Sequence, residues 1–145
     1  MSKSNALETA YLSLLFTNDN FANVGAATGL RGSTAAGSLY FSLHTADPGE
    51  TGDQTTNEIA YTSYARVAVA RSAAGWTVTA NAVAVDADVT FPAGTGGSGT
   101  ATHWGLGTAS SAAGVLLYKG TISPNIVCGN GVTPVLTAGQ VVTED

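Results

Sequence analysis

The sequence predicts an all-β fold, a jelly-roll-like antiparallel β-sandwich of about eight short strands with one N-terminal α-helix. Three observations support this prediction. Apolar and polar residues alternate in short segments after residue 38, which is the pattern of half-buried strands. Residues that favour turns separate these segments at the spacing typical of sandwiches and barrels. A helical period occurs once, before residue 17.

The helix is predicted from Asn5 to Phe16. Apolar residues recur there at the i, i+3, i+4, i+7 spacing of one helical face: Leu7, Ala10, Tyr11, Leu14 and Leu15. Asn5 and Glu8 have the spacing of a capping box at its start. We expect the apolar stripe to cover an open end or face of the β-structure. Docking of the helix on another subunit is the alternative.

The clearest predicted strand is Leu39–His44. Its two faces are Leu39, Phe41 and Leu43 on the apolar side and Tyr40, Ser42 and His44 on the polar side. Asp47-Pro48-Gly49 ends it, because proline presets the backbone for a turn and glycine tolerates positive φ. Val115–Lys119 is apolar on both faces, which predicts a central strand. Further strands are predicted at residues 64–71, 76–79, 83–91, 102–108, 121–127, 132–136 and 140–143.

Length and composition indicate one domain that works inside an assembly. A chain of 145 residues suits a single domain, with the helix and an extended arm in residues 1–38 and the β-sandwich in residues 39–145. Charged residues make up 10% of the chain, against roughly 25% in an ordinary soluble domain. Between Val89 and Thr143 the sole formal charge is Lys119. A surface so poor in charge tends to self-associate unless partners cover it.

Charge and hydropathy argue against nucleic acid and membranes as partners. The net charge is −5, and the five basic residues are too scattered to form a patch for phosphates: Lys3, Arg31, Arg66, Arg71 and Lys119. No apolar run approaches the ~20 residues that span a bilayer, and the first residues do not resemble a signal peptide. We therefore expect synthesis in the cytoplasm without membrane contact. Cys128 lies in an apolar run and is predicted to be a buried hydrophobe.

No pattern of catalytic or metal-binding residues stands out. His44 and His103 are possible general bases, but no nucleophile motif accompanies them, so structural histidines and no enzymatic activity are predicted. The acidic loop after the first strand could in principle coordinate Ca²⁺ through Asp47, Glu50, Asp53 and Glu58. Its spacing differs from an EF-hand, so a solvated loop is predicted, and no metal or other cofactor. Trp76 and Trp104 are expected in the core.

The order of several segments resembles a known family. These segments are Ser42–Arg71, Asp86–Gly94, Thr102–Ser123 and Leu136–Val142. They resemble small virion proteins of tailed phages and prophages, which are labelled either tail-fibre-like or capsid cement (decoration) proteins. The resemblance implies a virion structural protein without catalytic residues, built as a jelly-roll-like β-sandwich.

The short chain, without fibrous repeats or coiled-coil heptads, favours the cement function. Such a protein would bind the outer surface of the assembled head between major capsid protein subunits and stabilise the shell. The expected partners are the major capsid protein and a second copy of the chain, as a dimer. The expected location is the capsid surface of the virion, after synthesis in the host cytoplasm.

Two other functions remain open at this point. The first is a tail-fibre or baseplate-associated component that contacts a tail protein or a host glycan through exposed aromatic residues such as Tyr61 and Tyr64. The second is a small hydrolase that uses His44 or His103. For a structural protein, mobility and charge suggest six partner contacts: Lys3, Leu7, Tyr11, Arg31, Glu50 and Asp53.

Overall fold

The structure, a computed structural model, describes residues 2–144, and this part of the chain contains nine β-strands and one helical segment. The α-helix α1 (Asn5–Leu12) continues as a π-helical turn at Ser13–Thr17. The strands are β1 (Ser38–His44), β2 (Val67–Ala70), β3 (Trp76–Thr79), β4 (Ala82–Val85), β5 (Val89–Thr90), β6 (Ser98–Gly107), β7 (Leu116–Gly129), β8 (Val135–Leu136) and β9 (Val141–Thr143).

The strands form three sheets. A four-stranded sheet has the order β2-β1-β6-β7, a three-stranded sheet the order β3-β4-β9, and a two-stranded sheet joins β5 to β8. The predicted fold class, an antiparallel all-β sandwich with one N-terminal helix, is confirmed, with nine strands where about eight were expected.

The described chain divides into two compact units. Unit 1 contains residues 2–38, 70–88 and 137–144, and unit 2 contains residues 39–69 and 89–136. Each unit therefore combines segments that are distant in the sequence. The expectation of a single domain stays a prediction.

Unit 1 is organised by α1 and the three-stranded sheet. Leu12 and Phe16 are fully buried, and the ring of Phe16 packs edge-on against Trp76 of β3 with ring centroids 4.8 Å apart. The helix begins at Asn5, as predicted, but its capping residue differs. Ser4 is its N-cap, because the Ser4 hydroxyl accepts a hydrogen bond from the Leu7 amide, so the proposed capping role of Asn5 was wrong.

Arg71 fixes the end of the helix in unit 1. Its guanidinium donates to the carbonyl oxygens of Leu14 and Leu15, both at 2.6 Å, and to that of Ala36 at 2.9 Å. The last carbonyl groups of a helix have no hydrogen-bond partner within the helix. A cation at this end also interacts favourably with the negative end of the helix dipole. This arginine thereby ties residue 36 of the arm to the helix.

Unit 2 is built around β6, which pairs with β1 on one side and β7 on the other. Leu43 of β1 lies opposite Trp104 of β6, and Trp104 lies opposite Gly120 of β7. The indole of Trp104 covers Gly120 so closely that an added Cβ would lie 2.6 Å from the ring, which explains glycine at this position. The predicted apolar face of β1 and both tryptophans are buried, as expected.

One predicted strand is in fact two. The alternation over residues 83–91 suggested a single strand, but β4 ends at Val85 in unit 1 and β5 begins at Val89 in unit 2. Between them the Asp86 amide donates to the carbonyl of Gly75, and the carboxylate of Asp88 accepts from the Ala138 amide at 2.7 Å. Residues 86–88 therefore form these hydrogen bonds and do not continue the strand.

The opposite correction applies to β7. Two strands were predicted within residues 115–127, and the structure has one strand from Leu116 to Gly129. Its pairing with β6 shifts between Thr121 and Ile126, so residues 122–125 bulge from the ladder. The expected central position was also wrong, because β7 is the last strand of its sheet.

Candidate functional site

A serine and a histidine lie together at the end of β1. The Ser42 Oγ is 2.8 Å from Nε2 of His44, and Nδ1 of His44 is 2.8 Å from the carbonyl oxygen of Thr56. A carbonyl can only accept, so Nδ1 carries the proton and Nε2 accepts from the Ser42 hydroxyl in the neutral ring. This arrangement has the connectivity of a nucleophile and its base.

The Ser42–His44 pair is closed to substrates. Both side chains are 0% exposed, although the sequence pattern placed them on the polar face of the strand. Gly105 of β6 lies against them, and a Cβ there would be 2.6 Å from Nε2 of His44 and 2.7 Å from Oγ of Ser42. No space remains for a reacting group, so the pair satisfies buried polar atoms and has a structural role.

His103, the other histidine, pairs across the sheet with His44 as a backbone neighbour. Its Nδ1 lies 2.8 Å from the hydroxyl of Thr102, the adjacent residue. The two histidines therefore have separate hydrogen-bond partners. This geometry assembles no shared catalytic group.

A second buried network joins Glu58 to Arg66 and Tyr64. The Arg66 guanidinium donates to both carboxylate oxygens of Glu58, at 2.7 and 2.8 Å, and its side chain is 2% exposed. It also donates to the carbonyls of Ala109 and Ala112. The hydrogen bonds that Arg66 donates to Glu58 raise the pKa of Arg66 above its usual value. Glu58 is thus part of a buried ion pair that fixes the 109–112 loop, and the expectation of a solvated carboxylate here was wrong.

Neither of the proposed glycan-contact tyrosines is an exposed side chain. Tyr61 is 2% exposed and its hydroxyl donates to the Pro92 carbonyl at 2.8 Å. Burial raises the pKa of Tyr61 to about 12. The Tyr64 hydroxyl donates to Glu58 and accepts from the Leu43 amide, and burial raises its pKa. The half-buried ring of Tyr64 packs against those of Tyr61 and Phe91, so the assignment of both tyrosines as exposed aromatic residues was wrong.

The predicted acidic loop is held by hydrogen bonds. The Asp47 carboxylate accepts from the Gly49 amide, so the predicted turn is present, and Gly49 has a φ of +75°. Lys119 of β7 contacts Asp47 at 2.9 Å and Glu50 at 3.3 Å. The carboxylate of Asp53 accepts from the amide and hydroxyl of Thr55. In residues 2–144, no three His, Cys, Asp or Glu side chains are grouped to hold a metal ion.

The six predicted partner contacts divide between the two units. Leu7 and Tyr11 are 40% and 43% exposed on α1, four residues apart and so on one helical face. Lys3 forms an ion pair with Glu144, and Arg31 is exposed at a cleft in the same unit. Glu50 and Asp53 belong to unit 2, where only Glu50 extends into solvent. Their role as contacts stays a prediction.

A surface that the sequence analysis did not single out lies along β7. Val115 and Val127 are 59% and 68% exposed, the highest values among the large hydrophobic residues that are exposed in unit 2. At the start of β7, a cleft of about 350 Å³ is lined by Leu116–Lys119 and by Gly49–Glu50 and Gly52 of the acidic loop. The signal was present in the apolar pattern of Val115–Lys119, but it was interpreted as a buried central strand.

None of the helical segments in the described chain is long and apolar enough to cross a membrane. Comparison with protein families gives a match to the family described as "Podophage GP4 fiber I protein gp80" over residues 2–144. No curated protein matches the chain.

The pKa of His44 predicts how stability depends on pH. Burial lowers this pKa below the ordinary 6.5, so the folded state resists a proton that the unfolded chain accepts. The contribution of His44 to the free energy of unfolding should therefore be fully present above pH ~6.5. It should decrease as the pH drops from there towards the lowered pKa. Urea denaturation at a series of pH values measures this dependence.

Two variants make that experiment specific. His44→Gln should flatten the dependence of the unfolding free energy on pH in this window, whatever its effect on stability at neutral pH. His103→Gln is the matched control and should keep the wild-type dependence. An unchanged pH profile in His44→Gln would contradict the assignment of the effect to the buried ring.

Proposed function

The chain belongs to the family described as Podophage GP4 fiber I protein gp80 and is thus a phage virion structural protein; from this premise we propose that it is a component of a tail fibre. The observation that carries the proposal is the extent of the family match, which covers all described residues of both units. A partial match could reflect one shared unit, whereas this one includes the helix, the arm and every strand.

The family description favours the fibre over the capsid surface. The short chain was the argument for a cement protein, because a fibre needs length. A chain of 145 residues contributes to a fibre by assembling with other chains, for instance as a joint or an attachment domain. The low content of charged residues agrees with surfaces that other chains cover.

The structure supports a binding role over a hydrolytic one. The one serine–histidine pair in the described residues that resembles a nucleophile and base is sealed by β6. Tyr61 is buried and Tyr64 is half-buried, so neither is the exposed aromatic residue that was expected to contact a host glycan. Attachment to another tail protein is therefore the contact that we favour.

We propose the exposed face of α1 as the attachment surface. The inner face of this helix, with Leu12 and Phe16, belongs to the core of unit 1, while Leu7 and Tyr11 stay exposed. Two large side chains one turn apart are the usual anchors of a helix that docks in an apolar groove. Removing the whole helix would expose the core, so point variants are the suitable probes.

The location in the virion is the first prediction. Virions that contain the protein are disrupted, heads and tails are separated, and the chain is quantified in each fraction by mass spectrometry. We expect it to be recovered with the tails at a fixed ratio to a tail protein. Recovery with heads, together with saturable binding of the purified protein to empty expanded shells, would replace the fibre with the cement function.

The attachment surface gives the second prediction. Leu7→Ser combined with Tyr11→Ser should weaken sedimentation of the purified protein with isolated tails at least about tenfold in affinity, because anchor side chains carry most of a contact. Val141→Ser is the matched control, since Val141 is 53% exposed in the same unit. Equal binding by all three proteins would reject α1 as the surface, provided that their melting temperatures agree.

A further inference from the structure

A polar cleft of about 560 Å³ lies in unit 1, at the segment that follows the helix. Residues from this segment and from a second one, twelve positions further along the chain, line it: Asn18, Asn20, Arg31, Gly32, Ser33 and Thr34. None of these described residues carries a carboxylate or a large apolar side chain. The lining therefore combines one cation with amide and hydroxyl groups, which suits a polar ligand.

Arg31 is the basic residue whose side chain has no hydrogen-bond or ion-pair partner among residues 2–144. The other four basic residues bind a carboxylate or carbonyl groups of their own unit: Lys3, Arg66, Arg71 and Lys119. The acid nearest to Arg31 in the sequence is Asp19, whose carboxylate accepts from the Thr17 hydroxyl at 2.6 Å. A guanidinium has five N–H donors in a planar fork, and this fork is available at the cleft.

Hydrogen bonds hold the two segments that line the cleft. The Asn18 carboxamide donates to the Ser33 carbonyl at 2.9 Å and accepts from the Ser33 amide at 2.8 Å. The side-chain oxygen of Asn20 accepts from the Gly32 amide at 3.0 Å. Glycine is required at residue 32, because an added Cβ would lie 2.1 Å from the Asn18 carbonyl oxygen. The cleft is thus formed before a ligand arrives, which lowers the entropic cost of binding.

The side-chain groups that the described chain leaves free in this cleft are hydrogen-bond donors. Asn20 uses its side-chain oxygen within the cleft wall, which leaves its NH₂ group, and the Thr34 hydroxyl has no partner in residues 2–144. The Ser33 hydroxyl accepts from Arg71 at 3.4 Å and can itself donate. Arg31 adds its guanidinium. A ligand that matches these groups is rich in acceptor oxygens and carries a negative charge.

We propose that this cleft binds an acidic sugar, with the sugar carboxylate on Arg31 and sugar hydroxyl groups on Asn20 and Thr34. A carboxylate matches the planar guanidinium in a two-point contact. The volume of about 560 Å³ lies within the roughly 300–1,000 Å³ of small-molecule pockets. A peptide partner needs an apolar pocket for its anchor side chain, and the described lining residues do not supply one. This inference does not depend on where in the virion the protein is located.

The test is a titration of the full-length protein with glucuronate, followed by NMR at low ionic strength, because salt screens exposed charges. We expect chemical-shift changes at the Gly32 amide and at the side-chain NH₂ group of Asn20, with an affinity of about 1 mM. Glucose has the ring without the carboxylate, and acetate has the carboxylate without the ring. Each should bind at least about fivefold more weakly than glucuronate.

Three variants make the titration specific. Arg31→Gln should weaken glucuronate binding at least about fivefold and keep the wild-type melting temperature, because Arg31 has no partner in the described chain. Arg31→Lys keeps the charge but loses the planar fork, so its affinity should also fall. Lys119→Gln is the matched control. It removes the same charge from unit 2 and should bind glucuronate like the wild-type protein.

Four results would overturn the proposal. The first is a set of shifts spread over the whole surface, and the second is equal affinity of the wild-type protein and Arg31→Gln for glucuronate. The third is binding of acetate or inorganic phosphate as tight as that of glucuronate, which would make the cleft an unspecific anion site. The fourth is tighter binding of an aspartate-rich peptide than of glucuronate, which would make the cleft a protein contact.

Discussion

The pairing of β6 with both of its neighbours is the interaction on which unit 2 depends. On one face it buries Leu43 against Trp104, and on the other it brings Gly105 against Ser42 and His44. Because only a glycine fits at residue 105, the sheet closes over the serine–histidine pair, which then has the connectivity of a catalytic dyad without access to a substrate. β6 also pairs with one edge of β7, which is the last strand of this sheet.

Four of the five basic residues bind partners within their own unit. Arg66 holds Glu58 and a neighbouring loop, Arg71 binds the last carbonyls of the helix, and Lys119 contacts the acidic loop. Large apolar side chains are exposed on α1 (Leu7 and Tyr11) and at Val115 and Val127 near the two ends of β7. Such surfaces suit a protein that is covered by neighbours in an assembled particle.

The sequence was informative where local pattern decides the structure. The alternation of Leu39, Phe41 and Leu43 and the Asp47-Pro48-Gly49 turn were predicted correctly, since both follow from a few adjacent residues. It was misleading where distant partners decide. His44 is buried because the Thr56 carbonyl accepts its hydrogen bond and Gly105 packs against its ring. Tyr61 is buried with its hydroxyl hydrogen-bonded to the Pro92 carbonyl. Periodicity also missed the break after Val85, where hydrogen bonds to Gly75 and Ala138 end the alternation.

A cryo-EM reconstruction of intact virions tests the central claim most directly, namely that this chain is a component of a tail fibre. The expected result is density for the fold on a tail fibre. Copies on the capsid surface would contradict the fibre assignment.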